Sequence, residues 1–84
     1  MRAEELKELV HRQPFVPIRL HLTGGKTYDI YHPDNILISR MRVDVGVGDP
    51  VVGIADRVDF LSLLHIVRVE DIQSPQASMN GYSS

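Results

Sequence analysis

The chain opens with apolar residues at the spacing of an α-helix. Within residues 2–12, Leu6, Leu9 and Val10 stand at positions i, i+3 and i+4, so they fall on one helical face. Pro14 prevents the helix from continuing. A helix this short is marginal in isolation, so we expect its apolar face to pack against the rest of the domain.

Beyond the helix, apolar and polar residues alternate, which is typical of β-strands. Residues 16–23 alternate in this way, and residues 26–31 do so again. Gly24 and Gly25 separate the two segments. Since glycine tolerates positive φ, the pair predicts a two-residue hairpin turn.

The second half of the chain continues the strand pattern. Residues 32–35, with the sequence HPDN, favour a turn that ends the second strand. Further strand patterns occupy residues 36–39, 41–47, 59–64 and 65–72. Residues 51–58 fit a strand, a flap or a loop.

A helix followed by about five short strands predicts a mainly β fold. We expect a small antiparallel five-stranded barrel with an N-terminal α-helix, because closure removes the unpaired edges of an open sheet. A parallel α/β sheet is excluded because no crossover helix separates the strands. Residues 1–72 are predicted to form this single domain. Residues 73–84 are rich in serine and poor in apolar side chains, and are predicted to be a disordered tail.

Composition and charge narrow the function classes. The 84 residues carry a formal net charge of −2, which argues against a strongly basic nucleic-acid-binding protein. The absence of cysteine excludes disulfides, a thiolate nucleophile and cysteine-based zinc sites. No segment has the length or apolar character of a membrane span or a signal peptide. We therefore expect a cytoplasmic protein that does not associate with membranes.

Between residues 3 and 71 the chain resembles Sm-like proteins of the LSm and Hfq type. The resemblance rests on the segment IRLHLTGGKTYDI, with Gly25 at its turn, and on Asn35 followed by three aliphatic residues. The later segment LSLLHIVRVE is similar in outline to the paired last strands of such barrels. The resemblance implies an Sm-like or SH3-like barrel, rings formed through edge strands, and RNA binding.

The N-terminal half also resembles a group of small bacterial proteins that have no assigned function. Their pattern is of the type PFxPhRhxLxxG…HP, where h is an apolar residue. It is present here as residues 14–22, Gly25 and His32-Pro33.

The RNA-binding hypothesis names His32, Asn35, Arg40 and Arg42. In that interpretation Asn35 bonds a base edge and His32 stacks on the base. The alternative is an ordinary turn at residues 32–35, with arginines that pair with interleaved aspartates. The Arg-Gly or Lys-His pair that supplies part of the RNA pocket in Sm-like proteins is absent, since Leu64-His65 occupy that region.

An interface hypothesis comes from a segment that is apolar on both faces. In residues 58–69, Phe60 and Leu64 point one way while Leu61 and Leu63 point the other. The excess apolar face must be buried by the helix, by residues 51–55 or by another subunit. The candidate interface residues are Phe60, Leu61, Leu63 and His65. For His65 the alternative is a ring that bonds a backbone carbonyl.

Catalytic and metal chemistry find little support. The four histidines match no compact ligand spacing, so we predict no metal site and no cofactor. Ser39 and Ser62 lack the glycines of a nucleophile elbow. The sequence therefore predicts a non-enzymatic assembly or protein-interaction module that forms a homo-oligomer through β-edge and apolar hairpin contacts. The alternative is an Sm-like RNA-binding protein. The expected partners are further copies of the chain, RNA or another protein.

Overall fold

The computed structural model describes residues 1–49 and 53–72. Within these residues, one α-helix precedes six β-strands, and two short 3₁₀ turns interrupt the strand sequence. In chain order the elements are α1 (Ala3–Val10), β1 (Ile18–Leu22), β2 (Thr27–Ile30), the turn Pro33–Asn35, β3 (Ile36–Ile38), β4 (Arg42–Asp49), β5 (Ile54–Ser62), the turn Leu63–His65 and β6 (Ile66–Asp71).

The strands form two antiparallel sheets of three strands each. The first sheet has the order β2-β1-β6 and the second has the order β3-β4-β5. The expected mainly β, antiparallel fold with an N-terminal helix is therefore confirmed. A closed five-stranded barrel is not confirmed, because strand pairing in the described residues joins six strands into two separate sheets.

The two 3₁₀ turns explain this difference. Pro33–Asn35 separates β2 from β3, and Leu63–His65 separates β5 from β6. Each turn carries the chain from one sheet to the other. The alternation of the sequence predicts strands on both sides of these turns, but it does not show that the partner strand changes at each turn.

The core lies between the inner faces of the two sheets. The predicted alternation is confirmed on β2 and in the first part of β1 and β4, where Ile18, Leu20, Val43 and Val45 are buried; Leu22 and Val47 further along are half-buried. The helix closes the core by burying Leu6 and Val10. The buried apolar residues are Leu6, Val10, Ile18, Leu20, Tyr28, Ile30, Ile36, Val43, Val45, Leu61, Leu63 and Ile66.

The β1–β2 connection contains the expected glycines, but the predicted two-residue turn is wrong, because Thr23, Gly24 and Gly25 all lie inside the closing Leu22–Lys26 pair. The Gly25 N–H donates to the Leu22 carbonyl, and the Leu22 N–H donates to the Lys26 carbonyl. Gly24 and Gly25 have φ values of 93° and 97°, a region that favours glycine. The turn therefore needs glycine for backbone conformation and not for binding.

An ion pair ties the end of the helical segment to the first sheet. The Arg12 guanidinium donates to both carboxylate oxygens of Asp71, at 3.2 and 2.9 Å. This contact holds the pKa of Asp71 below its usual value.

Within the described residues, no helix has the length and apolar character that a membrane span needs.

The ambiguous residues 51–58 form strand β5 from Ile54 onward, while residues 51 and 52 lie outside the described part of the chain. The tail predicted for residues 73–84 also lies outside it.

Candidate functional site

The four residues of the RNA-binding hypothesis do not share one cavity. His32 is exposed immediately before the Pro33–Asn35 turn. Asn35 lines a groove between the two sheets, whereas Arg40 lines a different groove beside the helix. Arg42 lies on the outer face of the second sheet. His32 and Asn35 adjoin in one turn, where the Asn35 N–H donates to the His32 carbonyl, whereas Arg40 and Arg42 lie in other parts of the fold.

We call the first cavity the inter-sheet groove. It has a volume of about 310 Å³ and lies between β2 and the distal halves of β4 and β5. Its lining includes Lys26, Tyr28, Tyr31, Asn35 and Arg57. Cationic, aromatic and amide side chains thus meet at one opening.

A polar network forms one wall of the inter-sheet groove and joins the two sheets. The Tyr28 hydroxyl donates to Asp59 Oδ2 at 2.6 Å, and Arg57 Nε donates to Asp59 Oδ1 at 2.9 Å. These two hydrogen bonds, that of Tyr28 first, hold the pKa of Asp59 below its usual value. The Lys26 ammonium lies 5.1 Å from the centre of the Tyr28 ring, a cation–π distance.

We call the second cavity the helix groove. It has a volume of about 490 Å³ and lies between the first turn of α1, the β3–β4 turn and the Leu63–His65 turn. Arg2, Lys7 and Arg40 line it together with one carboxylate, that of Glu4. Within the described residues, Lys7 and Arg40 form no ion pair.

The candidate interface residues divide between core and surface. Leu61 and Leu63 are buried, with 6 % and 3 % exposure, and contact the core. Phe60 is 64 % exposed and His65 is also exposed. Phe60 and Leu64 are exposed while Leu61 and Leu63 are buried, as the predicted division between opposite faces requires. Of the two faces, the one with Phe60 is open to a partner.

Exposed apolar side chains concentrate along β5, the Leu63–His65 turn and β6. They are Ile54, Val58, Phe60, Leu64 and Val67. Both strands are outermost in their sheets. The apolar side chains therefore lie on strands with one unpaired edge in the described structure.

Hydrogen-bond alternation shows which backbone groups are free on these edges. The Leu63 N–H donates to the Met41 carbonyl. In an antiparallel pair every second residue forms such bonds, so the backbone groups of Leu61 and Asp59 also point toward β4. The N–H and C=O groups of Val58 and Phe60 must then point away from β4. On β6, the Ile72 N–H bond to Pro17 implies in the same way that the backbone groups of Val69 point outward.

Ion pairs neutralise most arginines, as the alternative to the RNA hypothesis requires. Arg42 donates to Asp44 and its guanidinium lies 4.4 Å from the Phe60 ring centre. Arg19 donates to both oxygens of Asp29, at 2.7 and 3.0 Å. Arg40 is the one predicted RNA-contacting arginine without an ion pair in the described residues.

Sequence reasoning missed the Tyr28–Asp59–Arg57 network. Alternation puts Tyr28 on the same strand face as Ile30, and a tyrosine hydroxyl on a buried face needs a hydrogen-bonding partner. That requirement was the available signal. It could not identify Asp59, which lies 31 positions along the chain.

No group of three or more potential metal-ligating side chains occurs within residues 1–49 and 53–72. No protein-family model, curated protein or solved structure matches the chain. Functional inference therefore rests on the geometry of the grooves and the strand edges.

Proposed function

We propose that the protein is a non-enzymatic assembly module whose copies join through the free edges of β5 and β6. The observation that carries this proposal is the coincidence of unpaired strand edges with exposed apolar side chains. Phe60 is 64 % exposed, Leu64 73 % and Val67 65 %. Association of these strands buries apolar surface and satisfies backbone groups at the same time.

The two edges are different surfaces, so their pairing is heterologous. β5 of one copy meets β6 of the next, and every copy keeps one edge of each kind available. Repeated head-to-tail pairing closes into a ring where the rotation permits and otherwise gives a filament. The Sm-like arrangement, a bent-strand barrel assembled in a ring in the cytoplasm, is the form of this proposal that the sequence resemblance favours.

Proline substitution on the β5 edge tests the proposal. The Val58 N–H points away from β4, so Val58→Pro removes a donor for a neighbouring copy without removing a β4–β5 hydrogen bond. Thr27→Pro is the matched control, because Thr27 occupies the equivalent outward position on β2. We expect Val58→Pro to lower the mass measured by light scattering to that of a monomer, and Thr27→Pro to leave it unchanged.

Circular dichroism of both variants shows whether the strands still fold. A folded Val58→Pro protein with the mass of the unsubstituted chain would overturn the proposal, as would an unsubstituted chain that is monomeric.

We propose RNA binding at the helix groove as the second candidate function. The observation that favours it is the unpaired Arg40, which lies beside Arg2 and Lys7 over an apolar floor. A labelled single-stranded RNA of mixed sequence should bind at low salt and dissociate steeply as salt rises. Arg40→Ala should lower the slope of log affinity against log salt by about one.

Asn35→Ala is the comparison variant, because the sequence hypothesis puts Asn35 on an RNA base whereas Asn35 lines the other groove. Failure of the RNA to bind at low salt would exclude this candidate. Equal losses from Arg40→Ala and Asn35→Ala would remove the helix groove as the site.

A further inference from the structure

We propose that the inter-sheet groove binds an extended acidic peptide segment of a partner protein, which adds as a strand to the free edge of β2. This site is separate from the β5 and β6 edges. The proposal does not depend on assembly of the chain, and each can fail without the other.

The first support is the unpaired backbone of β2. Leu22 N–H donates to the Lys26 carbonyl, so Tyr28 and Ile30 continue the hydrogen-bonded pairs with β1. The N–H and C=O groups of Thr27 and Asp29 then point away from β1. In the described residues β2 is an outer strand, so these groups have no strand partner.

The second support is that the inter-sheet groove runs along this same edge. Thr27, Asp29 and Tyr31 all belong to its lining, and β4 forms the opposite wall. A volume of about 310 Å³ accommodates a short extended segment. Strand addition obtains affinity from main-chain hydrogen bonds and specificity from side-chain contacts in such a groove.

The third support is that the groove offers cationic donors for a ligand, whereas its carboxylates are already bonded to arginines. Lys26 contacts the Tyr28 ring and forms no ion pair within the described residues. Arg57 donates to Asp59 through its Nε, and within residues 1–49 and 53–72 its two terminal nitrogens form no hydrogen bond. The carboxylate of Asp29 is occupied by Arg19. An incoming carboxylate therefore finds donors, whereas an incoming ammonium finds carboxylates that are already bonded.

The glycines on the opposite wall have another explanation. A Cβ on Gly48 would lie 2.7 Å from the Ile54 carbonyl oxygen, and one on Gly46 would lie 3.1 Å from the Ala55 Cβ. Close approach within the β4–β5 hairpin accounts for both. The proposal rests on the β2 edge and the two cations alone.

Fluorescence anisotropy with a defined peptide tests the site. The probe is a labelled hexapeptide of alternating valine and glutamate, with capped ends, and its comparison peptide carries lysine in place of glutamate. The full chain should bind the glutamate peptide at least about tenfold more tightly than the lysine peptide. Thr27→Pro should weaken binding of the glutamate peptide about tenfold or more, because it removes a main-chain donor.

Charge reversal provides a readout that a folding defect would not give. Lys26→Glu should reverse the preference, so that the lysine peptide binds more tightly. Lys7→Glu makes the same charge change in the helix groove and should leave the preference intact.

No binding of the glutamate peptide to the full chain would overturn the proposal. Unchanged binding by folded Thr27→Pro would also overturn it, and loss of binding in Val58→Pro would move the peptide to the β5 edge. The mass of Val58→Pro by light scattering tests assembly separately.

Discussion

At the residue scale, Tyr28 links the two halves of the molecule. Its ring is buried in the core, while its hydroxyl reaches Asp59 on the second sheet. The alternation of the sequence puts Tyr28 on the same strand face as Ile30. It was not sufficient to predict the contact, because side-chain partners in different sheets depend on how the sheets pack.

Tyr28→Phe tests this link through pH. The folded-state pKa of Asp59 is lowered, so its stabilising effect is present above the unfolded pKa and lost as pH falls through the folded value. The variant should have a lower free energy of unfolding than the unsubstituted chain at neutral pH. This difference should shrink as pH falls from neutral through the unfolded pKa and the lowered folded-state pKa of Asp59.

Urea unfolding at equal protein concentration measures the difference, because the proposed assembly would make the apparent stability depend on concentration. A Tyr28→Phe penalty of the same size at neutral and acid pH would contradict the role assigned to the Asp59 carboxylate.

A second prediction at this scale concerns the stability effect of a side chain at Gly48. Gly48→Ala places a methyl group against the Ile54 carbonyl oxygen, which cannot move without disturbing the β4–β5 pairing. We expect a loss of about 1–3 kcal/mol in the free energy of unfolding. Gly46→Ala meets the Ala55 methyl group and should cost less. The reverse order in thermal or urea unfolding would show that the β4–β5 pairing at Gly48 is not under this constraint.

At the scale of elements, the helix is part of the core. Leu6 is fully buried, as the i, i+3, i+4 spacing predicted for the apolar face. Alternation likewise identified the strands, but segments with apolar residues on both faces were ambiguous. In residues 60–64 the alternation correctly put Phe60 and Leu61 on opposite faces of the strand. It did not show which of these two side chains points into the core. That choice depends on the partner strand, and pattern alone does not contain it.

Leu6→Ala tests whether the helix stabilises the sheets. Removing this fully buried side chain should cost about 2–5 kcal/mol in the free energy of unfolding. Lys7→Ala, one position along on an exposed face, should change it by no more than about 0.5 kcal/mol. We expect each variant to unfold in a single cooperative transition, with the two losses of unfolding free energy given above. Equal effects would mean that the helix is only loosely attached.

At the scale of the whole molecule, the outer faces of the two sheets differ in chemistry. The first sheet carries charged partners, including the Arg19–Asp29 pair and the His21–Glu70 contact of 2.8 Å. On the second sheet Phe60 is exposed beside the Arg42–Asp44 ion pair, and further exposed apolar residues continue along the chain into β6 of the first sheet. Composition could not predict this asymmetry, because it depends on which strands fold together.

The exposed apolar side chains on these two outer strands lead to the central proposal, that copies of the chain associate through β5 and β6. Their edges are distinct, so association consumes both and leaves none free once a ring closes. Closure also protects the exposed strand edges that would otherwise promote aggregation.

The solution mass of the full chain, measured by light scattering over a broad range of concentration, tests this claim most directly. The account predicts one mass equal to a fixed whole number of subunits and unchanged on dilution. A monomer at every concentration would contradict it, and a mass that rises continuously with concentration would contradict ring closure.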